Sequence, residues 1–499
     1  MELNEAVAKF KENVKLLKAY YHAMGVMSYD IETVAPKNAI GGYSDTMAVF
    51  SEVTYKLTVN EDNFALLDFL AEHENELDEI TRRGAEEARR GLKFMRSIPM
   101  DEYVAYQRLV NEASSVWHDA KVENDYPKFE PYLNKLVDYS VRFAKYAEPD
   151  MDPYDYWLNE YEKGFTKEVL EGYFAKVRET LVPLIRRVTE AKRPDDGFLK
   201  KNYPVWKQRI FSDELMKIMG IDRRDCGIGE TEHPFTTGFN KHDVRITTHY
   251  HEDAVASSMY SVIHEGGHAI YEMGTADELG ETMLASGASC GMHESQSRFY
   301  ENIIGRSRAF VDLVLPKMKE IFPEELEGVT GEQFYRAINI AEPSLVRTEA
   351  DELTYSMHVL IRYEIEKKLF SGELSTKDLP AEWNRLYKEY LGVDVPSDKE
   401  GCLQDSHWSG GGFGYFPSYS LGSAYGAQML NAMKKELDVD ALVRNGEISR
   451  ITEWLREHIH KYGMLKDPKE LLMISCGEEF KPEYYLDYLT KKFSELYGL

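Results

Sequence analysis

Cysteine is scarce in this chain, with four among 499 residues. Cys226, Cys290, Cys402 and Cys476 lie far apart and form no metal-binding spacing. They read as reduced thiols, which excludes a disulfide scaffold and predicts a cytoplasmic protein. Positive charge is also short: 60 Lys and Arg stand against 86 Asp and Glu, a formal net charge of −26. That balance speaks against nucleic acid as a partner, because phosphate backbones attract basic surfaces. No apolar run is long enough to span a bilayer, so no membrane partner is expected. The opening residues Met1-Glu2-Leu3-Asn4-Glu5-Ala6 lack the basic start and apolar core of a signal peptide. Internal repeats and low-complexity linkers are missing too.

What remains is mostly helical. Charged amphipathic stretches with few breakers cover residues 76–96, 166–192, 354–370, 447–462 and 484–496. Strand-like alternation is nearly confined to residues 243–249, where Val244, Ile246 and Thr248 alternate with Arg245, Thr247 and His249. A strand edge there could align an extended peptide. The pattern predicts one large α-helical domain over residues 1–499, bilobed around a cleft, with a small β-sheet. Residues 1–200 carry no catalytic motif and read as a helical cleft wall, leaving residues 201–499 as the catalytic part.

The chemistry concentrates at His264-Glu265-Gly266-Gly267-His268, an H-E-x-x-H pattern. On a helix, positions i and i+4 share one face, so His264 and His268 can present imidazole nitrogens to a single metal ion. Glu265, next to the first ligand, can take a proton from a water at that metal. Val255, Met259, Val262, Ile263 and Ile270 form an apolar helical stripe around the motif, with Asp253 as its expected N-cap. Two consecutive glycines inside a helix cost roughly 1 kcal/mol each relative to Ala. Their presence predicts that another segment or the substrate passes close by.

A catalytic zinc usually takes three protein ligands and keeps one position open. Seven of the fourteen histidines fall between His233 and His293. The segment Ala288–Arg298 looks helical and offers His293 and Glu294, which cannot both face one metal well. Histidine-histidine-glutamate sets are standard for catalytic zinc, so Glu294 is favoured. His293 is then a supporting or substrate contact, and Arg298 can hold the carboxylate. Asp277, Glu278 and Glu281 are rival ligands in a loop.

Two further constellations stand out. The segment Ser344–His358 is helical in composition, with Arg347 and Asp351 one turn apart; an arginine fork can bind a substrate's terminal carboxylate, although an Arg–Asp surface pair is the plainer reading. Downstream, Gly401-Cys402-Leu403-Gln404-Asp405-Ser406-His407-Trp408 leads into a glycine run and the aromatics Phe413, Tyr415, Phe416 and Tyr419. Gly-rich aromatic loops often form mobile walls of binding sites. A hydroxyl of Tyr419 or Tyr415 could stabilise an oxyanion opposite the metal.

With these motifs in order, the chain resembles the carboxypeptidase Taq family. The resemblance rests on His233-Pro234-Phe235, Asp243-x-Arg245-x-Thr247, the H-E-x-x-H motif, His293-Glu294-Ser295-Gln296, Val346-Arg347-x-x-Ala350-Asp351 and Gly401-x-x-Gln404-Asp405-x-His407-Trp408. It implies a cleft-containing helical fold like that of neurolysin and angiotensin-converting enzyme. It also implies a broad-specificity carboxypeptidase dependent on zinc, with cobalt as a substitute, commonly a homodimer, that acts on peptides with a free C-terminal carboxylate. His264, His268 and Glu294 become ligands and Glu265 the base. Arg347 and Arg245 are raised to carboxylate binders. His233, Asp243, His293, Gln404, Asp405 and Tyr415 join the substrate site, and Tyr419 with His407 supports the oxyanion. One departure is Tyr29, before Asp30, where relatives usually have Trp; lobe packing is its expected role. The alternative function is an oligoendopeptidase on the same scaffold.

Overall fold

In the computed structural model of the chain, residues 2–499 are described. The amphipathic stretches form helices close to their expected bounds: Glu79–Ser97, Lys167–Glu190, Tyr355–Ser371, Ile448–His458 and Glu483–Tyr497. Local capping sets several of these starts. The Asp78 carboxylate accepts the Thr81 N–H at 2.9 Å, which satisfies a donor that the first turn of Glu79–Ser97 would leave orphaned.

One continuous apolar core runs from Leu109 to Leu496. A separate small cluster joins Ala6, Phe10, Val14, Leu66, Leu67, Leu70 and Ala85. It holds helix Leu3–Thr33 against Glu61–Glu72 and Glu79–Ser97. The sheet has three strands among the described residues: β1 Cys226–Glu230, β2 Thr236–Asn240 and β3 Asp243–Thr248. Their order is β1-β3-β2, with β3 parallel to β1 and antiparallel to β2. The alternation in β3 was legible because Val244 and Ile246 are fully buried. Its edge role was not: β3 is the central strand, and both of its edges are paired. The strand bordering the cleft is β2.

Helix Val255–Met273 packs against β3 and against Cys290–Arg298, and so places the H-E-x-x-H motif between them. It begins after Ala254 without a side-chain cap, so Asp253 does not serve as N-cap. The segment around Arg347 also differs from its helical composition. Residues Arg347–Glu349 make a single 3-10 turn, and the helix starts only at Tyr355. Asp351 is the cause: its carboxylate accepts the N–H groups of Leu353 and Thr354 at 2.9 and 3.1 Å, which holds the chain in a turn. Beyond the glycine run, Tyr419 sits in helix Pro417–Met433 rather than in a loop.

Candidate metal centre and catalytic cleft

The two glycines of the motif have steric reasons. A Cβ on Gly266 would lie 2.8 Å from Met219 Cε, and one on Gly267 would lie 2.7 Å from the backbone Cα of Ser297. Backbone cannot retreat as a side-chain tip can, so Gly267 is what lets Val255–Met273 press directly on Cys290–Arg298. That approach brings Glu294 to the histidines. Glu294 Oε2 stands 3.8 Å from His264 Nε2 and 3.5 Å from His268 Nε2. Ligand atoms of the three residues all lie within 4.8 Å of one another. Of the rivals Asp277, Glu278 and Glu281, none joins this cluster, and Asp277 is engaged with Lys241.

The far side of each ligand is also held. His264 Nδ1 is 2.8 Å from Glu301 Oε2. His268 Nδ1 is 2.6 Å from His293 Nδ1, and His293 Nε2 is 2.7 Å from Glu272 Oε1. For His268 to offer a bare Nε2, its Nδ1–H must donate to His293, whose Nε2–H then donates to Glu272. In that arrangement both imidazoles are fixed in one tautomer by a carboxylate, directly or through a second ring. His293 therefore braces His268 from behind, linked in turn to Glu272.

Arginines share the buried negative charge. Arg298 Nε donates to Glu294 at 2.7 Å and its Nη1 to Glu301 at 3.2 Å. Arg306 Nη2 reaches the other oxygen of Glu301 at 3.3 Å. Burial favours a neutral Glu294, but Arg298 and the two histidines outweigh it and hold its carboxyl well below the usual range. Glu301 behaves alike, with Arg298 and His264 opposing burial.

Glu265 lies beside this cluster, and Thr236 of β2 donates its hydroxyl to Glu265 Oε2 at 2.6 Å. The set opens into a cavity of about 670 Å³. Pro234, Phe235 and Thr236 line one side, Tyr415, Ser418 and Tyr419 another, and Arg83, Arg90 and Asn159 close it from the first 200 residues.

The remaining expected site residues divide. His264, Glu265, His268, His293, Glu294, Tyr415 and Tyr419 line the cavity, whereas His407 stands behind Tyr419, its Nε2 3.3 Å from the hydroxyl. Burial and the neighbouring arginines push His407 down to about 4, so it is a neutral partner near neutral pH. Gln404 and Asp405 are not open to the cavity. Asp405 is clamped between Arg347 and Arg362, at 2.9 and 2.5 Å, and the Gln404 side chain accepts from the Arg347 N–H and from Arg362. Both residues are thus held by Arg347 and Arg362, and neither lines the cavity. Arg347 lies under the Tyr419 ring, 4.8 Å from its centroid, and pairs with Asp405 rather than Asp351. Asp243 and Arg245 form a pair with each other at 2.8 and 2.9 Å on β3. Tyr29 packs on Arg245 and on Phe235, the packing role expected of it. His233 is exposed and precedes the lining residues Pro234 and Phe235.

Sequence reasoning missed Glu301, Glu272 and Thr236. Glu294, Arg298 and Glu301 do share one helical spacing, a signal that could have found Glu301.

The chain matches the model of the carboxypeptidase Taq (M32) metallopeptidases over residues 9–493. It is 40% identical to carboxypeptidase 1 of Bacillus subtilis, with both chains covered in full. Identity to thermostable carboxypeptidase 1 of Pyrococcus furiosus is 34%, over 98% of this chain and 99% of the relative. Among solved structures, the M32 carboxypeptidase of Deinococcus radiodurans superposes with a TM-score of 0.96 at 34% identity, over 99% of this chain and 100% of that one.

Proposed function

The chain belongs to the carboxypeptidase Taq (M32) metallopeptidase family and is a metallocarboxypeptidase; from that premise we propose that it removes C-terminal residues from peptides with broad specificity, using His264, His268 and Glu294 as the ligands of a zinc ion that cobalt can replace. The observation that carries this reading is the convergence of those three donors beside Glu265 at the bottom of a cavity. The donor set fits the ion: two imidazole nitrogens with fixed tautomers and one ionised carboxylate, with a fourth position free. A structural zinc would be closed by a fourth protein ligand.

When bound, the metal polarises the scissile carbonyl and makes water a stronger acid. Glu265 takes the proton of the attacking water and passes it to the leaving amine. The Thr236 hydroxyl fixes the carboxylate for that transfer. Tyr419 donates its hydroxyl to the developing oxyanion. Burial keeps Tyr419 protonated well above the usual tyrosine range, and His407 orients it. Arg347 meets the terminal carboxylate. Three of its five N–H groups bond Asp405 and Tyr355, which leaves two for substrate once Tyr419 moves off the guanidinium. Arg245 is the second candidate. A single peptidase domain is proposed, in which residues 1–200 wall the cleft and residues 201–499 perform the chemistry. A homodimer in the cytoplasm is the proposed state.

The test is mass spectrometry of one peptide as free acid and as amide, with and without chelator. Stepwise C-terminal trimming of the free acid alone, abolished by chelator and restored by zinc or cobalt, is expected; internal cuts in both forms would establish the oligoendopeptidase reading instead. Glu265→Gln should keep its metal and lose about 10²–10⁴-fold in kcat. Arg347→Ala should lower kcat/KM on the free acid far more than on the amide, and equal losses on both would remove it from carboxylate binding.

A further inference from the structure

Glu162 follows helix Pro153–Tyr161, in the part of the chain that carries no catalytic motif. Its carboxylate is buried and accepts from three groups on two elements. Oε2 accepts the backbone N–H of Gly291 at 2.9 Å. Oε1 accepts the Ser289 hydroxyl at 2.9 Å and the Tyr425 hydroxyl at 3.0 Å. Ser289 is itself the cap of helix Cys290–Arg298, its Oγ accepting the Met292 N–H at 2.9 Å. Tyr425 belongs to helix Pro417–Met433, which also carries Tyr419. The fit is close on every side: a Cβ on Gly291 would lie 2.6 Å from Glu162 Oε2. None of the Glu162 partners is a cation.

We propose that Glu162 is the positioning residue of Glu294: it fixes the first turn of Cys290–Arg298, and the helix then delivers Glu294 to His264 and His268. Two of its three bonds hold the residues that start this helix. Glu294 sits three residues beyond Gly291, so a rigid-body shift of that turn moves the ligand with it. The third bond ties the same carboxylate to the helix of Tyr419, so both sides of the cleft are referred to one anchor. The inference rests on Glu294 being a ligand, as proposed above.

The test measures zinc affinity of the full-length apo-enzyme by competition with a chromophoric chelator, alongside kcat, KM and Tm. Glu162→Ala should bind zinc about 10–100-fold more weakly, the usual effect of removing a support behind a ligand, with kcat reduced and KM little changed. Glu162→Gln keeps an oxygen for Gly291 and an amide that the two hydroxyls can accept from, so it should bind zinc nearly as tightly as the parent. A Glu162→Ala protein with lowered Tm and parental zinc affinity overturns the inference, because the role is then structural only. Should that variant fail to fold, Glu162→Asp, whose shorter side chain draws the carboxylate back from Ser289 and Gly291, should weaken zinc binding in the same direction; parental affinity there also overturns it. Glu294→Ala separates the two readings. If it too binds zinc at parental affinity, the ligand assignment has failed; if it alone loses zinc, only the role of Glu162 has.

Discussion

Buried carboxylates occur both at the candidate metal centre and away from it, and the protein treats them in opposite ways. Glu294 stands beside His264 and His268 and Glu301 behind His264; both pair with Arg298, and Glu301 also with Arg306. Glu162 and Glu366 lie farther back and accept only neutral donors: Gly291, Ser289 and Tyr425 for one, Trp408, Gly414 and Tyr154 for the other. Burial raises all four, but arginines reverse it for the first pair, whereas the second pair is pushed up to about 7. The difference follows function. A ligand carboxylate, and one that orients a ligand imidazole, must be ionised. A clamp needs only to accept hydrogen bonds, and a full charge in an apolar setting is costly. Among these four, charge compensation goes with the pair at the candidate metal centre, and its absence with the pair that holds backbone in place.

Removing the cation should test this contrast most severely. Arg298→Ala leaves two carboxylates buried without their shared partner, and breaking a buried pair from one side costs roughly 3–5 kcal/mol. Urea unfolding of the apo-enzyme checks it, and a loss below about 1 kcal/mol, the range of exposed pairs, would mean that the arginine is not the compensating group. A smaller effect is expected of Glu301→Gln. The amide still accepts from His264 Nδ1 but no longer supplies charge, so zinc affinity should fall toward the lower end of the 10–100-fold range seen for such supports. Parental affinity would show that hydrogen bonding alone orients His264.

The candidate ligands stood out in the sequence because helical periodicity is local: His264 and His268 need only one turn, and Glu294 is suggested by the number of ligands a catalytic zinc usually takes. Glu301 shares a helical spacing with Glu294 and Arg298, but the helix continues past Arg298 as a π-turn over Phe299–Ile304, so the spacing alone does not fix which face it takes. The support from Glu272 through His293 spans two helices whose contact depends on Gly267, and the glycine pair signalled a close approach without naming the partner. Thr236 was lost because β2, TTGFN, lacks the alternation that exposed β3. The arginine partners of Gln404 and Asp405 were hidden for a related reason. A motif records that polar residues stay together, but not whether they face substrate or, like Asp405, two arginines.

The mildest prediction concerns Glu366, which holds the turn between Trp408 and Gly414 ahead of Tyr415 and Tyr419. Its carboxyl rises from the ordinary value near 4.5 to about 7 because burial opposes ionisation and no cation contacts it. The unfolded chain gives up this proton at lower pH than the folded one. The stability contributed by the protonated group is therefore complete below about pH 4.5 and is lost as pH rises through 7. Glu366→Gln cannot ionise. Its amide still accepts from Gly414 and Tyr154 but faces the Trp408 N–H with a donor, a penalty that does not change with pH. The variant should thus be the less stable protein at pH 5 and should recover against the parent by pH 8. Differential scanning of both apo-proteins across that interval reads the change: a Tm difference that moves in favour of the glutamine variant supports the clamp reading. A constant difference means that Glu366 is ionised throughout, and the contrast between compensated and uncompensated carboxylates then loses one of its two members.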